Sequence, residues 1–195
     1  LAPAICRFTS EAFYEGKLTS REGLHVQRLS GAGSFDGAGL FRVHVDHVGN
    51  TNESAEEVEA VSRVVDMLLA PGATWTNAKG EVLPMAADDI LVVAPYNLHV
   101  DALHERLSPR KVRVGTVDKF QGQEAAVVIY SMACSSPSDA ARGMEFLYNL
   151  NRLNVATSRA RCATILVANP LLFEPECKSP RQMQLATGRC RDVEM

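Results

Sequence analysis

Four short, mainly apolar runs decide what this chain can fold into. They occupy residues 90–94, 112–117, 127–133 and 163–168. Runs of this kind are typical of strands that are covered on both faces, and such strands occur in parallel sheets. The segments between them carry helical periodicity, so strands alternate with helices along the chain. This order predicts an α/β domain with a mostly parallel central sheet of about five strands and helices on both of its faces.

One predicted helix is marked at both ends. Ser54 and Glu57 fit a capping box, apolar residues follow at helical spacing, and the pair Pro71 and Gly72 stops the pattern. The helix should therefore run from about residue 55 to residue 69. The other predicted helices are an opening segment at residues 3–15, a segment capped by Asn97, residues 149–160, and a terminal segment capped by Ser179.

Two segments interrupt the alternation of strands and helices. Residues 31–39 are rich in glycine but lack the Lys-Ser/Thr pair that a phosphate-binding P-loop requires. We expect a surface loop there. Residues 71–89 contain turn-forming residues and no sustained period, which predicts an exposed loop with a small hairpin at residues 77–80.

Residues 41–48 alternate apolar and polar side chains, as a half-exposed strand does. His44, Asp46 and His47 are residue types that bind metals. In a strand, however, His44 and Asp46 share one face while His47 points to the other, so the three do not converge. We expect a solvated strand face and no metal site.

The composition of the chain narrows its class. With 195 residues, 46% of them hydrophobic, the chain is large enough for one well-packed domain. A net charge of -3 excludes a global basic field, although a local groove can still bind a phosphate backbone. The five cysteines form no Cys-x-x-Cys pair, which indicates reduced thiols in a cytoplasmic protein.

The start of the sequence shows no signal-peptide pattern. No apolar run reaches the length that a bilayer requires, so we expect no membrane contact. The chain begins with Leu1 directly before a helical pattern, and we expect a fragment of a longer protein.

The predicted helix at residues 149–160 presents two arginines. Asn149, Arg152, Ala156 and Arg159 fall at spacings of 3, 4 and 3, which places them on one stripe. A rigid guanidinium fork suits phosphate oxygens. A solvated helix face explains the same pattern, and these residues alone leave both readings open.

The turn at residues 120–124 gathers polar groups around a glycine. Gly122 permits close approach of a ligand, and its amide is suited to a phosphate. Glu124 would repel a phosphate, so in a nucleotide site it should meet ribose hydroxyls. A tight turn between two strands explains Gly122 but not the polar residues. Residues 95–97 and 116–124 both follow predicted strands, so we expect both at the carboxyl edge of the sheet, where ligands bind.

These segments resemble motifs of superfamily 1 helicases. Residues 114–124 (VGTVDKFQGQE) are similar to motif V and residues 151–161 (NRLNVATSRAR) to motif VI. Residues 93–97 (VAPYN) resemble motif IV, and residues 4–18 resemble the segment after the Gln-Tyr-Arg motif. The likeness is to the second RecA-like domain of the branch that includes the nonsense-mediated-decay helicase and senataxin. It extends to bacterial proteins that join this module to a RecB-like nuclease.

The resemblance implies a RecA-like, three-layer fold and assigns roles to individual residues. Arg159 matches the arginine finger that reaches the γ-phosphate of ATP from across the interdomain cleft. Gly122 and Glu124 match positions near the γ-phosphate and ribose. The remaining implied nucleotide-binding residues are Gln121, Arg152 and Arg161, although one of the two arginines is expected to brace motif VI or pair with a carboxylate. The implied nucleic-acid-binding residues are Thr116, Tyr96 and Asn97.

The chain also departs from the family pattern. The Walker A lysine, the Walker B Asp-Glu pair and the Gln-Tyr-Arg arginine are absent from the sequence. The family uses these residues to hold ATP and Mg²⁺. The resemblance therefore implies the second motor domain of an ATP-dependent helicase or translocase, with residues 1–20 as a linking helix and residues 1–195 as one domain. It would be inactive alone.

The implied partners are the first RecA-like domain and single-stranded nucleic acid, with DNA favoured over RNA and an attached nuclease domain left open. A catalytically silent docking module is the main alternative function, and the retained arginines count against it. A nuclease would need a cluster of carboxylates, and the adjacent pair Asp88 and Asp89 lies at the entry to a strand.

Overall fold

The computed structural model describes residues 2–13, 17, 19–20, 23–120, 122–143, 154 and 157–173. Five strands form the central sheet, and every pair of neighbours is parallel. In spatial order they are β2 (Gly39–His44), β8 (Ala160–Ala168), β7 (Ala125–Ser131), β5 (Ile90–Val93) and β6 (Arg113–Gly115). The predicted fold class, an α/β domain of RecA-like architecture, is confirmed.

Helices and apolar side chains cover both faces of this sheet. Helices α2 (Ala55–Leu68) and α3 (Asn97–Leu107) cover one face, and Ile5 of helix α1 (Pro3–Phe13) packs against the other. The strands supply alternate residues to the two cores: Val127 and Ile129 face α2 and α3, whereas Val128 and Tyr130 lie on the side of α1. All seven residues of β7 are buried, as a central parallel strand requires.

Residues 71–89 correct one expectation. The hairpin expected within this loop is present but more extensive: β3 (Thr74–Thr76) pairs with β4 (Val82–Pro84) and also with β1 (Arg28–Ser30), so the segment is not simply exposed. The resulting sheet is antiparallel and has three strands. Trp75 explains the difference, because its buried side chain packs into the main core and anchors the hairpin. The predicted turn is correct, since Gly80 N–H donates to Asn77 O.

The ends of two helices differ from their predicted positions. Tyr96, with extended backbone angles, occupies the N-cap of α3, and Asn97 is the first helical residue instead of the cap. The helix predicted at residues 149–160 ends earlier, because Ser158 and Arg159 form a turn and Ala160 already pairs with Ala125. Arg159 therefore does not continue a helical stripe. Gly16, the start of that helix and the segment after Ser179 lie outside the described residues.

The position of His47 differs from the solvated strand face expected for residues 41–48. Strand β2 ends at His44, so the alternation of faces does not extend to His47. The chain turns inward there, and the buried His47 ring contacts Glu57. Among the described residues, no group of three His, Cys, Asp or Glu side chains is placed to hold a metal ion. The described cysteines, Cys6, Cys134 and Cys162, are buried free thiols. No described helix is long and apolar enough to span a bilayer.

Candidate functional site

Arg159 lies at the amino edge of the sheet, directly before β8. Its Nε–H donates to the carbonyl oxygen of Phe120 at 2.7 Å, and the residue is only 9% exposed. Burial lowers the pKa of this guanidinium, and the charge of Asp118 opposes that shift. An arginine keeps its charge under such conditions because its ordinary pKa is so high. The site thus presents a positive, well-anchored guanidinium.

The turn that accepts this hydrogen bond is built around Gly122. Gln123 N–H donates to Phe120 O at 3.0 Å, and Gly122 has a φ of 78°. None of the described residues has an atom within 4 Å of a Cβ placed on Gly122. Glycine is therefore required here by the left-handed backbone, not by crowding. The open space beside the turn is compatible with a ligand.

Glu124 and Arg161 form an ion pair beside the turn. Arg161 Nε lies 3.2 Å from Glu124 Oε2, and the two side chains are 44% and 59% exposed. The guanidinium carbon of Arg161 also lies 5.9 Å from the ring centroid of Trp75, within the range of a cation–π contact. Arg161 is therefore placed to orient Glu124, as one of the two arginines was expected to pair with a carboxylate.

Thr116, Tyr96 and Asn97 lie at the opposite, carboxyl edge of the sheet. Thr116 directly follows β6 and Tyr96 follows β5, and Ala94 N–H donates to Gly115 O between the two strand ends. A cleft of about 330 Å³ opens at this edge. Its lining residues are Asn52, Pro95, Tyr96, Asn97, Leu98, Ala141 and Arg142. Among them, Arg142 is the charged residue.

The two groups of residues do not form one pocket. Glu124 and Arg159 stand at the start of β7 and β8, whereas Tyr96 is level with the end of β7. Strands rise about 3.3 Å per residue, so the seven-residue β7 separates the groups by about 20 Å. The expectation that residues 116–124 lie entirely at the carboxyl edge is therefore wrong. This segment begins at the carboxyl edge and ends at the amino edge.

Two candidate residues, Gln121 and Arg152, lie outside the described residues. Two others that line the cleft, Asn52 and Arg142, were not predicted from the sequence. Glu57 was predicted only as part of a capping box, but its buried carboxylate contacts the end of β7 and the two residues after it. The position of Glu57, three residues after Ser54, is already explained by a capping box, so nothing in the sequence indicated this second role.

The amino edge brings together a cation, an open turn and a carboxylate. Arg159 offers a cation for phosphate oxygens, the Gly122 turn leaves open space, and Glu124 offers carboxylate oxygens for ribose hydroxyls. This set of donors and acceptors suits one side of a nucleotide. The set of Arg159, Gly122 and Glu124 contains no lysine and no pair of carboxylates of the kind that holds the phosphates and Mg²⁺ of a nucleotide.

Comparison with known proteins identifies a family. Residues 1–171 match the family described as an AAA domain. The chain is 27% identical over 198 residues to the putative helicase mov-10-B.1 of Danio rerio, covering 89% of this chain and 19% of that protein. It is 30% identical over 174 residues to the DNA-binding protein SMUBP-2 of Rattus norvegicus, with coverages of 81% and 16%.

A third relative extends the comparison. Helicase sen1 of Schizosaccharomyces pombe is 30% identical over 190 residues, covering 86% of this chain and 10% of that protein. The chain thus spans less than a fifth of the length of each of these relatives. The matches support the resemblance to superfamily 1 helicases.

Proposed function

Because this chain belongs to the AAA domain family, we propose that it is the second motor domain of a superfamily 1 helicase or translocase. The names of two relatives, both helicases, support this proposal. In this role the domain closes on a first motor domain when ATP occupies the cleft between them. The chain's own contribution is the arginine finger and one half of the nucleic-acid track.

The hydrogen bond between Arg159 and Phe120 is the observation that carries this proposal. It joins the two segments that resemble motifs V and VI, which are far apart in sequence. A guanidinium held in this way is pre-oriented, so little side-chain entropy is lost when it binds phosphate oxygens. ATP supplies the γ-phosphoryl group that passes to water. Arg159 would stabilise the negative charge that develops on its oxygens.

Glu124 and Gly122 complete the nucleotide side of the domain in this proposal. Glu124 would accept hydrogen bonds from ribose hydroxyls, and Arg161 would hold the carboxylate in place. The exposed turn at Gly122 would let the backbone approach the nucleotide. Mg²⁺ and most of the ATP contacts are assigned to the first motor domain, because this sequence lacks the lysine and the Asp-Glu pair.

The carboxyl-edge cleft is proposed as the nucleic-acid track. The amide of Asn97 and the guanidinium of Arg142, which line the cleft, suit backbone phosphates, the usual targets of non-specific contacts. Thr116, which follows β6 at the same edge, would add a hydroxyl. Single-stranded DNA is the proposed substrate, and the name of the relative SMUBP-2 as a DNA-binding protein supports it. RNA is the alternative that a binding comparison would reveal.

The segment from Thr116 to Glu124 connects the two edges and offers a route for coupling. Its short helical turn, Val117–Phe120, buries Val117 and Phe120 in the core on the side of α1. Lys119 N–H donates to Thr116 O at the carboxyl end, while Phe120 O binds Arg159 at the other. A shift of Arg159 on nucleotide binding would thus be transmitted to Thr116 through a packed, hydrogen-bonded segment.

The proposal is tested by the dependence of ATP hydrolysis on nucleic acid. The full-length protein that contains this domain should hydrolyse ATP faster when single-stranded oligonucleotide is added. The 195-residue chain alone should show no magnesium-dependent hydrolysis. Equal rates with and without oligonucleotide in the full-length protein, or hydrolysis by the chain alone, would refute the assignment.

A further inference from the structure

A buried carboxylate lies beneath the carboxyl-edge cleft. Glu57, in the first turn of α2, is fully buried. Its Oε2 accepts hydrogen bonds from Ser131 Oγ at 2.5 Å, Met132 N–H at 2.9 Å and Ala133 N–H at 3.0 Å. Its Oε1 lies 3.0 Å from His47 Nε2. Because a buried charge is costly unless it is fully paired, this degree of pairing makes Glu57 a rigid anchor.

The expected capping box is only half formed, because the Glu57 side chain points into the protein interior instead of back to Ser54. Ser54 Oγ accepts from Glu57 N–H at 3.1 Å, as a cap should. The Glu57 carboxylate does not return to Ser54, whose own N–H donates to His99 Nδ1 at 3.3 Å. His99 Nε2 then donates to Ser131 Oγ at 2.8 Å, and this direction follows from the Ser54 donor at Nδ1. The cap of α2 is thereby tied to α3 and to the end of β7.

These contacts connect three loops at the carboxyl edge. The first, residues 45–54, is joined to Ser135 by three hydrogen bonds. Ser135 N–H donates to Asn50 O, Asn50 N–H donates to Ser135 Oγ, and His47 Nδ1 is hydrogen-bonded to Ser135 Oγ. The second loop, residues 94–96, leads directly into α3, whose first turn contains His99. The third starts at Met132, beyond β7. Glu57 contacts the first loop through His47 and the third through Met132 and Ala133, and its partners Ser54 and Ser131 both bond to His99, just after the second.

The same three loops line the cleft. Asn52 comes from the first, Pro95 and Tyr96 from the second, and Arg142 from the third. The distances between these lining residues therefore depend on the distances between the three loops. Glu57 lies where these contacts converge and is not among the residues that line the cleft.

We propose that Glu57 is a positioning residue for nucleic-acid binding: through Ser131, Met132 and His47 it holds the three loops at the spacing that a single strand requires. This inference rests on the proposed function, because it takes the cleft as the nucleic-acid track. Removal of the carboxylate leaves two backbone N–H groups and two side chains without their acceptor, and the loops would relax to satisfy them elsewhere.

The test compares Glu57→Ala, Glu57→Gln and the control Glu59→Gln in the full-length protein. Glu59 lies on the same helix, but its side chain is exposed and pairs with Arg106 and Arg63. Two constants are measured for each variant: the concentration of single-stranded oligonucleotide that half-saturates the ATPase, and the KM for ATP. Thermal unfolding shows which variants are folded.

We expect Glu57→Ala to raise the half-saturating oligonucleotide concentration about tenfold with the KM for ATP unaltered. Glu57→Gln should restore it to within about threefold of the wild type, because an amide oxygen can still accept from Met132 and Ala133. Glu59→Gln should match the wild type. Should Glu57→Ala fail to fold, the exchange rates of the Met132 and Ala133 amides in Glu57→Gln, expected to stay protected, provide the second measurement.

Two outcomes would overturn the inference. One is an unchanged half-saturating concentration in Glu57→Ala. The other is an equal rise of both constants, which would indicate a general loss of structure. A wild-type protein that does not respond to oligonucleotide at all would instead refute the proposed track itself, so the two failures are distinguishable.

Discussion

Arg159 donates its Nε–H to the carbonyl oxygen of Phe120 at 2.7 Å, across 39 residues of sequence. The same carbonyl accepts the N–H of Gln123 and so closes the turn that contains Gly122. One backbone oxygen thus fixes both the turn and the guanidinium. The geometry of the two family-like segments is therefore shared, and changes in either should affect the other.

Gly122→Ala should weaken folding by about 1 kcal/mol, because alanine is strained at a φ of 78°. No steric clash with the described part of the chain adds to this cost, since none of those residues lies within 4 Å of the new methyl group. Urea denaturation would measure the loss.

Gly80→Ala is the matched control: its φ is 82° and its surroundings are equally open, but it lies in the β3–β4 hairpin. Both variants should lose similar stability, and only Gly122→Ala should raise the KM for ATP. A parallel rise in Gly80→Ala would contradict a nucleotide role for the turn.

Glu124→Gln should hardly change the stability of the domain. The Glu124–Arg161 pair is half exposed, and such pairs contribute about 0 to 1 kcal/mol. The same substitution should raise the KM for ATP in the full-length protein, because a neutral amide is a weaker acceptor for ribose hydroxyls. The KM for a 2′-deoxy analogue of ATP should differ less between variant and wild type. Loss of stability without any change in KM would show that the pair is purely structural.

His99 should make folding sensitive to mild acid. Burial lowers the pKa of this ring to about 4 from an ordinary 6.5, with Glu57 opposing and His47 reinforcing the shift. The unfolded chain therefore takes up a proton near pH 6.5, before the folded one does. Stability should be full above pH 6.5 and fall as the pH drops towards 4, by at most about 1.4 kcal/mol per pH unit. Denaturation of the wild type and of His99→Gln between these values would measure it. A slope in His99→Gln as steep as that of the wild type would contradict the account.

The sequence was most informative about the central sheet. The runs that became β5 and β7 are apolar throughout, so burial on both faces was encoded locally. The turn of the β3–β4 hairpin was predicted, but the pairing of β3 with β1 was not, and neither was the packing of Trp75 into a distant core. Local periodicity carries no record of such a contact.

The candidate site shows the same limit. The residues at the two edges were identified by their motif positions. Their separation by the length of β7 could not be predicted, because it arises from residues 116–124, which run from the end of β6 at one edge to the start of β7 at the other. The role of Glu57 could not be predicted, because a capping-box pattern looks the same whether the carboxylate turns back to Ser54 or enters the core.

The central claim is that Arg159 acts on ATP held mainly by another domain, and turnover of Arg159→Ala in the full-length protein tests it most directly. Arg63→Ala is the control, because Arg63 is exposed and pairs only loosely with Glu59, at 3.9 Å. We expect kcat for nucleic-acid-stimulated hydrolysis to fall by about three to five orders of magnitude in Arg159→Ala, with ATP affinity lowered only modestly and Arg63→Ala unaffected. A kcat within about threefold of the wild type in a folded Arg159→Ala protein would contradict the account.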